Sequence, residues 1–385
     1  MNADQTVSHN GPTPASQAQG SALTPHKAPL PALTGIRFFA ATYVIVFHTQ
    51  FALRARARHA GPADTFIDSG FLAVTLFFIL SGFILAYTYQ GQIQGHSHRR
   101  RFWEARFARL WPLYAVALLF QSLVTLQVPA PPVALATVLM VQAWNPFHPA
   151  MAAAWSPVLW TLSVEALFYL LFPFAQAWLD RRSASTQLGL LFGVLLVALL
   201  MNVSWRTLNY APVTGLYQHI PLAVIHLPEF FTGVLLGNLC LRRMAATHPG
   251  FTLGSGWWTW TAAAASLAVL SLRTVPLTSL AIPAFAALIL GLATEKTLLQ
   301  RLLSAPLLVL GGQISYGMYL LHIPCKTLLS AALDHLGVAS SLARFLAVFV
   351  SVVLLSWLTF RTIEDPCRKL LRRLFSRLEA RSPTT

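Results

Sequence analysis

The sequence predicts an all-α integral membrane protein, a bundle of about ten transmembrane helices with both termini in the cytoplasm. Of the 385 residues, 56% are hydrophobic and only 10% are charged, and the mean hydropathy is +0.59. Soluble domains carry about 25% charged residues. The chain also contains ten separate apolar runs near the length of about 20 residues that crosses a bilayer. The distribution of positive charge between these runs gives the predicted orientation.

The ten apolar runs define the predicted spans, which are 34–53, 70–89, 110–128, 157–179, 187–203, 221–241, 257–272, 276–294, 306–328 and 341–360. A shorter apolar stretch at 132–144 follows a proline-rich segment, and we interpret it as a re-entrant or interfacial piece. A full crossing at this stretch would invert the orientation of every later span.

Positive charges indicate an N-terminus and a C-terminus inside the cell. With this orientation about 20 of the 27 lysines and arginines face the cytoplasm, as the positive-inside rule requires. Arg54, Arg56 and Arg58 in the first outer loop are a local exception. The net charge of +15 therefore reflects membrane topology, and we expect no nucleic-acid partner.

The domain organisation follows the same pattern. Residues 1–32 are polar and rich in serine, glutamine and proline, which predicts a disordered cytoplasmic tail without a signal peptide. Residues 33–362 form the transmembrane domain, and residues 363–385 form a basic cytoplasmic tail. Three cysteines lie in or beside apolar runs, so we expect no disulfide framework.

Arg37 and His48 are the first candidate functional residues. Eleven positions separate them in the first span, which is about three helical turns or roughly 16 Å on one face. Glu165 is one of few acidic residues within the predicted spans, and the depth of its span suggests that it could meet His48. A histidine oriented by a carboxylate suits general-base catalysis. The alternatives are a snorkelling Arg37 and a His48 that only packs.

Arg106 and Arg109 lie three residues apart before the third span, so they share one helix face. Like Arg37, they are expected to lie near the cytoplasmic side of the membrane. Such a cluster suits phosphate groups, although these arginines could also only determine topology. A phosphate site with a base some three turns deeper fits a long, thin substrate such as a coenzyme A thioester. His226 and Glu229, three residues apart, are expected to pair structurally. His96 and His98 lack further ligands, so we predict no metal site.

Six segments then occur in an order typical of one family: LTGIRFFAATYVIVFH (33–48), LFFILSGFIL (76–85), RFWEARFARLWPLY (101–114), LWTLSVEALFYLLFP (159–173), ISYGMYLLH (314–322) and RTIEDPCRKLLRR (361–373). Over about residues 32–373 the chain resembles the membrane acyltransferase-3 family, bacterial proteins that move acyl groups, usually acetyl, onto sugars and other hydroxylated acceptors. Thr34, Phe38 and Ala166 replace residues frequent in these motifs, whereas Arg37, His48 and Glu165 are present.

The resemblance implies an integral membrane O-acyltransferase of a bacterial cytoplasmic membrane, with acyl-CoA, usually acetyl-CoA, as co-substrate. Arg37, Arg106 and Arg109 would hold the donor phosphates, His48 would act as general base, and Glu165 would orient it. Five further motif positions carry no assigned role: Trp160, Ser163, Tyr169, His322 and Glu364. Ser163 and Tyr169 could position the acceptor or the oxyanion, and Glu364 could pair with arginines of the tail.

The expected partners are a carbohydrate or glycosylated acceptor and the lipid bilayer. The acceptor's identity, the acyl chain length and the oligomeric state stay open. A transporter or flippase of a hydrophilic solute, using Arg37, His48 and Glu165 as its path, is the alternative from another class. No internal repeat of the kind found in many transporters is visible in the sequence. A scaffold or sensor that has lost activity is the third interpretation.

Overall fold

The computed structural model describes residues 27–54, 62–145, 149–208, 220–246, 256–272 and 275–381. Throughout these ranges the regular structure is helical. The helices are α1 (Pro31–Arg54), α2 (Pro62–Asp68), α3 (Ala73–Tyr89), α4 (Gly95–Thr125), α5 (Pro131–Val138), α6 (Trp160–Leu179), α7 (Ala184–Leu208), α8 (Leu222–Ile225), α9 (Leu227–Ala246), α10 (Trp257–Leu270), α11 (Val275–Thr278), α12 (Ala281–Thr294), α13 (Leu298–Leu303), α14 (Pro306–His335), α15 (Ser341–Thr359) and α16 (Asp365–Arg381). Short 3₁₀ turns occur at Ser69–Leu72 and Pro149–Ala153, and a π-helical turn at Phe360–Glu364 joins α15 to α16.

Seven helical stretches in the described residues are long and apolar enough to cross a membrane. They are Pro31–Thr49, Ala63–Tyr89, Gly95–Thr125, Trp160–Leu179, Ala184–Ser204, Leu222–Met244 and Ser341–Leu378. This agrees with a multi-pass, all-α membrane protein, and the predicted count of ten crossings is not confirmed. α10 and α12 have 14 residues each, or about 21 Å, against a hydrocarbon core of about 30 Å. α14 has 30 residues, but polar side chains interrupt its apolar surface.

The segment 132–144 folds back towards the bundle. Its helix α5 has eight residues, about 12 Å, and is too short to cross a bilayer. The backbone N–H of Ala143 donates to Ser163 Oγ at 3.0 Å, and Trp144 Nε1 donates to the Ser163 carbonyl at 2.7 Å. Gln142 Nε2 donates to the Leu159 carbonyl at 3.0 Å. These hydrogen bonds hold the segment against the beginning of α6, as expected of a re-entrant segment.

Glycines allow two helix pairs, α3 with α9 and α1 with α14, to pack at close range. A Cβ atom at Gly233 on α9 would lie 1.9 Å from the carbonyl oxygen of Ile79 on α3. A Cβ at Gly312 on α14 would lie 1.9 Å from the carbonyl oxygen of Thr34 on α1. Close backbone approach of this kind is typical of membrane helices, which associate by packing rather than by hydrophobic burial.

The outer surface of the bundle is apolar. On α7 the side chains of Phe192, Leu196 and Leu200 are each more than half exposed. Exposed apolar side chains in such a row are expected where a helix faces lipid.

The first described residues, 27–30, lie against the end of α3. Lys27 Nζ donates to the Thr88 carbonyl at 3.2 Å, and Tyr87 Oη donates to the Ala28 carbonyl at 2.9 Å. Residues 27–32 of the predicted disordered tail therefore belong to the folded structure, because α1 already begins at Pro31. The rest of that tail, residues 1–26, lies outside the described residues, as do Arg56 and Arg58.

Candidate active site

A cavity lies where five helices meet, with side chains contributed by α1, α3, α4, α6 and α14. Its volume is about 130 Å³. A dry cavity of similar volume accepts benzene, so this one has room for a small organic group and not for a nucleotide. Its polar lining consists of Arg37, Ser81, Arg106, Arg109, Thr161, Glu165, Tyr169, Ser315, Tyr316 and Tyr319.

The structure brings the three predicted arginines together at this cavity. Arg37 comes from α1, and Arg106 and Arg109 lie one helical turn apart on α4. The Nε atoms of Arg37 and Arg106 are buried, and neither has a hydrogen-bond partner within the described ranges. An unsatisfied buried donor costs free energy. These guanidinium groups are therefore suited to an anionic ligand.

Aromatic rings hold Arg106 in place. Its guanidinium carbon lies 5.8 Å from the ring centre of Tyr89, 5.7 Å from that of Phe102 and 5.9 Å from that of Tyr169. One terminal nitrogen also donates to Tyr89 Oη at 3.4 Å. Ring faces attract a cation and restrict its position, so the charge of Arg106 is fixed beside the cavity.

Arg109 is held by a buried carboxylate. Its guanidinium pairs with Glu364, whose side chain is only 1% exposed, and lies 5.9 Å from the ring centre of Tyr316. The main partner of Glu364 is therefore Arg109 on α4, and not an arginine of the tail as the sequence predicted. Glu364 ends the π-helical turn that joins α15 to α16, and this turn and α16 both pack against α4. Such turns are frequent at functional sites.

Glu165 faces the arginines rather than His48. Ser81 Oγ donates to Glu165 Oε1 at 3.2 Å, and Tyr169 Oη donates to the same oxygen through a short hydrogen bond. Thr161, Glu165 and Tyr169 are spaced four residues apart, so they share the face of α6 that lines the cavity. Among the described residues, those hydroxyls are the hydrogen-bond partners of Glu165, and His48 is not one of them.

His48 lies instead beside α14. Its ring centre is 5.1 Å from that of His322, and Lys326 Nζ donates to the His48 carbonyl at 2.6 Å. The predicted contact with Glu165 is therefore not formed. Depth along a span predicts how far two side chains lie from the membrane surface, but it does not predict which way each one points.

Tyr319 connects the cavity with the surroundings of His48. It lines the cavity, and its ring centre is 6.0 Å from that of His322. Its hydroxyl donates a hydrogen bond to the Val158 carbonyl at 3.2 Å and accepts one from Thr161 Oγ1 at 3.0 Å. Tyr319 and His322 thus stand between the arginine-lined cavity and His48.

Two other motif residues have mainly structural surroundings. Ser163 is fully buried, and its Oγ accepts the Ala143 N–H described above. It is not among the residues that line the cavity. Trp160 packs against His226, with ring centres 5.4 Å apart. His226 and Glu229 do lie side by side as predicted, with Nδ1 and Oε1 3.2 Å apart, but His226 Nδ1 makes no hydrogen bond within the described ranges.

Sequence reasoning missed several residues that shape the site, among them Ser81, Tyr89, Tyr319 and Lys326. Lys326 could have been found, because a cation within the span 306–328 is costly and marks a candidate site. Ser81 and the two tyrosines carry no charge, so nothing in the hydropathy pattern separates them from ordinary packing residues.

Comparison with known proteins agrees with the motif pattern. The acyltransferase-3 family model, described as an acyltransferase domain, matches residues 30–361. The chain belongs to the acyltransferase-3 family.

Curated relatives carry related names over different lengths. The chain is 28% identical to acyltransferase MdmB of Streptomyces mycarofaciens over 387 aligned residues, which cover 94% of this chain and 98% of that protein. It is 30% identical over 233 residues to nodulation protein 10 of Rhizobium leguminosarum bv. viciae, covering 58% of this chain and 57% of that protein. It is 44% identical over 88 residues to protein 2 in the picA locus of Rhizobium radiobacter, covering 22% of this chain and 40% of that protein. No solved structure shows a significant match.

Membership of the acyltransferase-3 family supports acyl transfer over the transporter and scaffold alternatives. Together with the apolar helices, it indicates a multi-pass membrane acyltransferase.

Proposed function

We propose that this acyltransferase moves an acetyl group from acetyl-CoA to a hydroxyl of a sugar-containing acceptor, such as a cell-surface polysaccharide. The observation that carries the proposal is the cavity in which Arg37, Arg106 and Arg109 meet beside Glu165. Three guanidinium groups at a small buried cavity fit the phosphate groups of an anionic donor.

The donor would extend past the cavity. Because the cavity accepts only a small group, the phosphate groups of the donor would lie at it while the adenosine stays outside. The pantetheine arm would extend about three helical turns along α1 and bring the thioester to His48. Arginine binds phosphate through bidentate, charge-assisted hydrogen bonds, and Arg37, Arg106 and Arg109 would hold the donor in this way. No metal ion is needed for this step.

The reaction would be a direct transfer to the acceptor. The acceptor oxygen attacks the thioester carbonyl carbon while His48 takes the hydroxyl proton as general base. The tetrahedral intermediate then collapses, the C–S bond breaks, and the departing coenzyme A sulfur receives that proton. The products are an acetyl ester and free coenzyme A. Glu165 would act at the donor side, among Ser81, Tyr169 and the arginines, and not as the group that orients His48.

The proposed topology brings the substrates from opposite sides. Residues 33–362 would form ten crossings in a bacterial cytoplasmic membrane, with residues 1–32 and 363–385 on its cytoplasmic side. The arginines would then lie towards the cytoplasm, where acetyl-CoA is made. His48, some three turns further along α1, would lie towards the outside, where an envelope glycan is found.

The test is transfer of radiolabelled acetyl from acetyl-CoA to host envelope glycans in purified membranes. His48→Ala should reduce transfer at least about 100-fold, the usual contribution of a general base, at a normal protein level. The variant keeps the main-chain carbonyl that Lys326 binds, so the fold should survive. Full activity of His48→Ala would refute the mechanism.

Binding of acetyl-CoA to the purified protein distinguishes a wrong acceptor class from a wrong reaction. If the protein binds acetyl-CoA but labels no glycan, the donor assignment holds and the acceptor class is wrong. If it neither binds acetyl-CoA nor transfers label, the proposed reaction is wrong.

A further inference from the structure

His322 is a fully buried histidine with one satisfied and one unsatisfied ring nitrogen. It lies in the middle of α14 and is 0% exposed. Its Nδ1 is 2.7 Å from the carbonyl oxygen of Tyr319. Its Nε2 is buried and has no hydrogen-bond partner among the described residues.

The Tyr319 carbonyl fixes the tautomer of a neutral His322. A carbonyl oxygen can only accept a hydrogen bond, so the neutral ring must carry its hydrogen on Nδ1. The lone pair is then on Nε2. A buried acceptor left without a donor is unfavourable, so this nitrogen requires a partner.

The His48 ring is a polar group packed against His322. The ring centres are 5.1 Å apart, and the ring planes are inclined at 41°. Lys326, one turn further along α14, holds the main chain of His48 through its carbonyl oxygen at 2.6 Å. Since the backbone of His48 is anchored to the same helix, a modest side-chain rotation would bring a His48 N–H to His322 Nε2.

We propose that His322 is the positioning residue of His48, a role that rests on the proposed function. His322 Nε2 accepts the N–H of one His48 ring nitrogen and leaves the lone pair of the other nitrogen free for the acceptor hydroxyl. When His48 takes the proton, its N–H···N bond to His322 becomes charge-assisted and therefore stronger. His322 thus takes the orienting role that the sequence assigns to Glu165.

Two substitutions separate positioning from packing. His322→Asn keeps an amide N–H near the position of Nδ1, where it can bind the Tyr319 carbonyl, but has no acceptor at the position of Nε2. His322→Gln reaches the Nε2 position with an amide oxygen that can accept. We expect His322→Asn to lower kcat about 10- to 100-fold, a part of the general-base contribution, and His322→Gln to recover most of that loss. The KM for acetyl-CoA should stay unchanged in both variants.

A double substitution tests whether His322 acts through His48. In a His48→Ala background, His322→Asn should cause no further loss of kcat, because the group that it positions is absent. Equal kcat for the Asn variant, the Gln variant and the wild type would overturn the proposal. An equal loss in both variants, or a further loss in the His48→Ala background, would also overturn it. Folding is checked by gel-filtration elution and acetyl-CoA binding.

A spectroscopic readout keeps this proposal distinct from the proposed function. ¹⁵N NMR of histidine-labelled protein in bilayers reports the tautomer of His48 without any substrate. One tautomer in the wild type and a mixture in His322→Asn are expected. The same His48 spectrum in both proteins would refute the pairing, whether or not acetyl transfer is detected. Absence of transfer with the expected spectra would refute only the proposed reaction.

Discussion

At the residue scale, the site is notable for cations whose positions are fixed before any ligand arrives. Arg106 lies among the rings of Tyr89, Phe102 and Tyr169, and Arg109 is paired with Glu364. A preorganised guanidinium loses little side-chain entropy when a ligand binds. This favours recognition of a charged donor.

Arg106→Ala should weaken donor binding more than acceptor binding. We expect the KM for acetyl-CoA to rise about tenfold or more, since a charge-assisted hydrogen bond contributes about 1.5–3 kcal/mol. Arg106→Lys should give an intermediate value, because lysine keeps the charge without the planar fork. The measurement is initial-rate kinetics with each substrate varied in turn.

Arg100→Ala on the same helix is the matched control. Arg100 pairs with Glu104 at 2.8 Å on an exposed face of α4, away from the cavity. Its loss should leave the KM for both substrates unchanged. An unchanged acetyl-CoA KM in Arg106→Ala would remove Arg106 from the donor site.

Much of the candidate site could be predicted from the sequence, and the exception has a physical reason. Charged residues in apolar runs are few, so Arg37 and Glu165 were identifiable by their cost in a membrane. The partner of Glu165 was not identifiable, because it depends on the rotation of α6 about its own axis. Packing sets that rotation, and it directs Glu165 towards Ser81 and Tyr169.

At the element scale, the architecture depends on close helix contacts that hydropathy does not reveal. Apolar runs predicted where most helices lie, because length and composition alone decide which segments can enter a bilayer. The division of 276–294 into α11 and α12 and the π-helical turn before α16 are local backbone events. They depend on neighbouring helices and could not be predicted from the pattern.

Gly233→Ala should destabilise the contact between α3 and α9. The new methyl group would lie 1.9 Å from the Ile79 carbonyl oxygen, so the two backbones must separate. Overpacking of this kind costs about 1–3 kcal/mol. We expect a lower apparent midpoint of thermal unfolding in detergent and a smaller yield of monodisperse protein.

Gly193→Ala on α7 is the control for this glycine. A Cβ atom at Gly193 meets no heavy atom within 4 Å, although the residue also lies in an apolar membrane helix. Its unfolding midpoint should equal that of the wild type or exceed it slightly, because alanine favours the helix. Equal unfolding midpoints for both variants would show that the close helix approach at Gly233 does not contribute to stability.

At the scale of the whole molecule, the site has two ends along the bundle. The arginine-lined cavity is at one end, His48 is at the other, and Tyr319 and His322 lie between them. An enzyme with this layout can take a cytoplasmic donor and an external acceptor without moving either substrate across the membrane. That arrangement requires the predicted orientation of the chain.

Cysteine labelling tests this orientation in cells. Ser183 lies between α6 and α7, and Ala339 lies between α14 and α15, and both are exposed. With both termini inside, Ser183 faces the cytoplasm and Ala339 faces outwards. In a variant without Cys240, Cys325 and Cys367, a membrane-impermeant maleimide should label Ala339→Cys in intact spheroplasts. Ser183→Cys should be labelled only after permeabilisation.

The pattern of labelling decides between specific topologies. Ala339 would be inside and Ser183 outside if 132–144 made an additional crossing, because every later span would then be inverted. The eight-residue length of α5 argues against that outcome. Labelling of both cysteines on the same side would instead require an even number of crossings between them. Five of the ten predicted spans lie between Ser183 and Ala339, so labelling of the two cysteines on opposite sides is the expected result. Labelling on the same side would mean that α10, α12 or α14 does not cross the membrane separately.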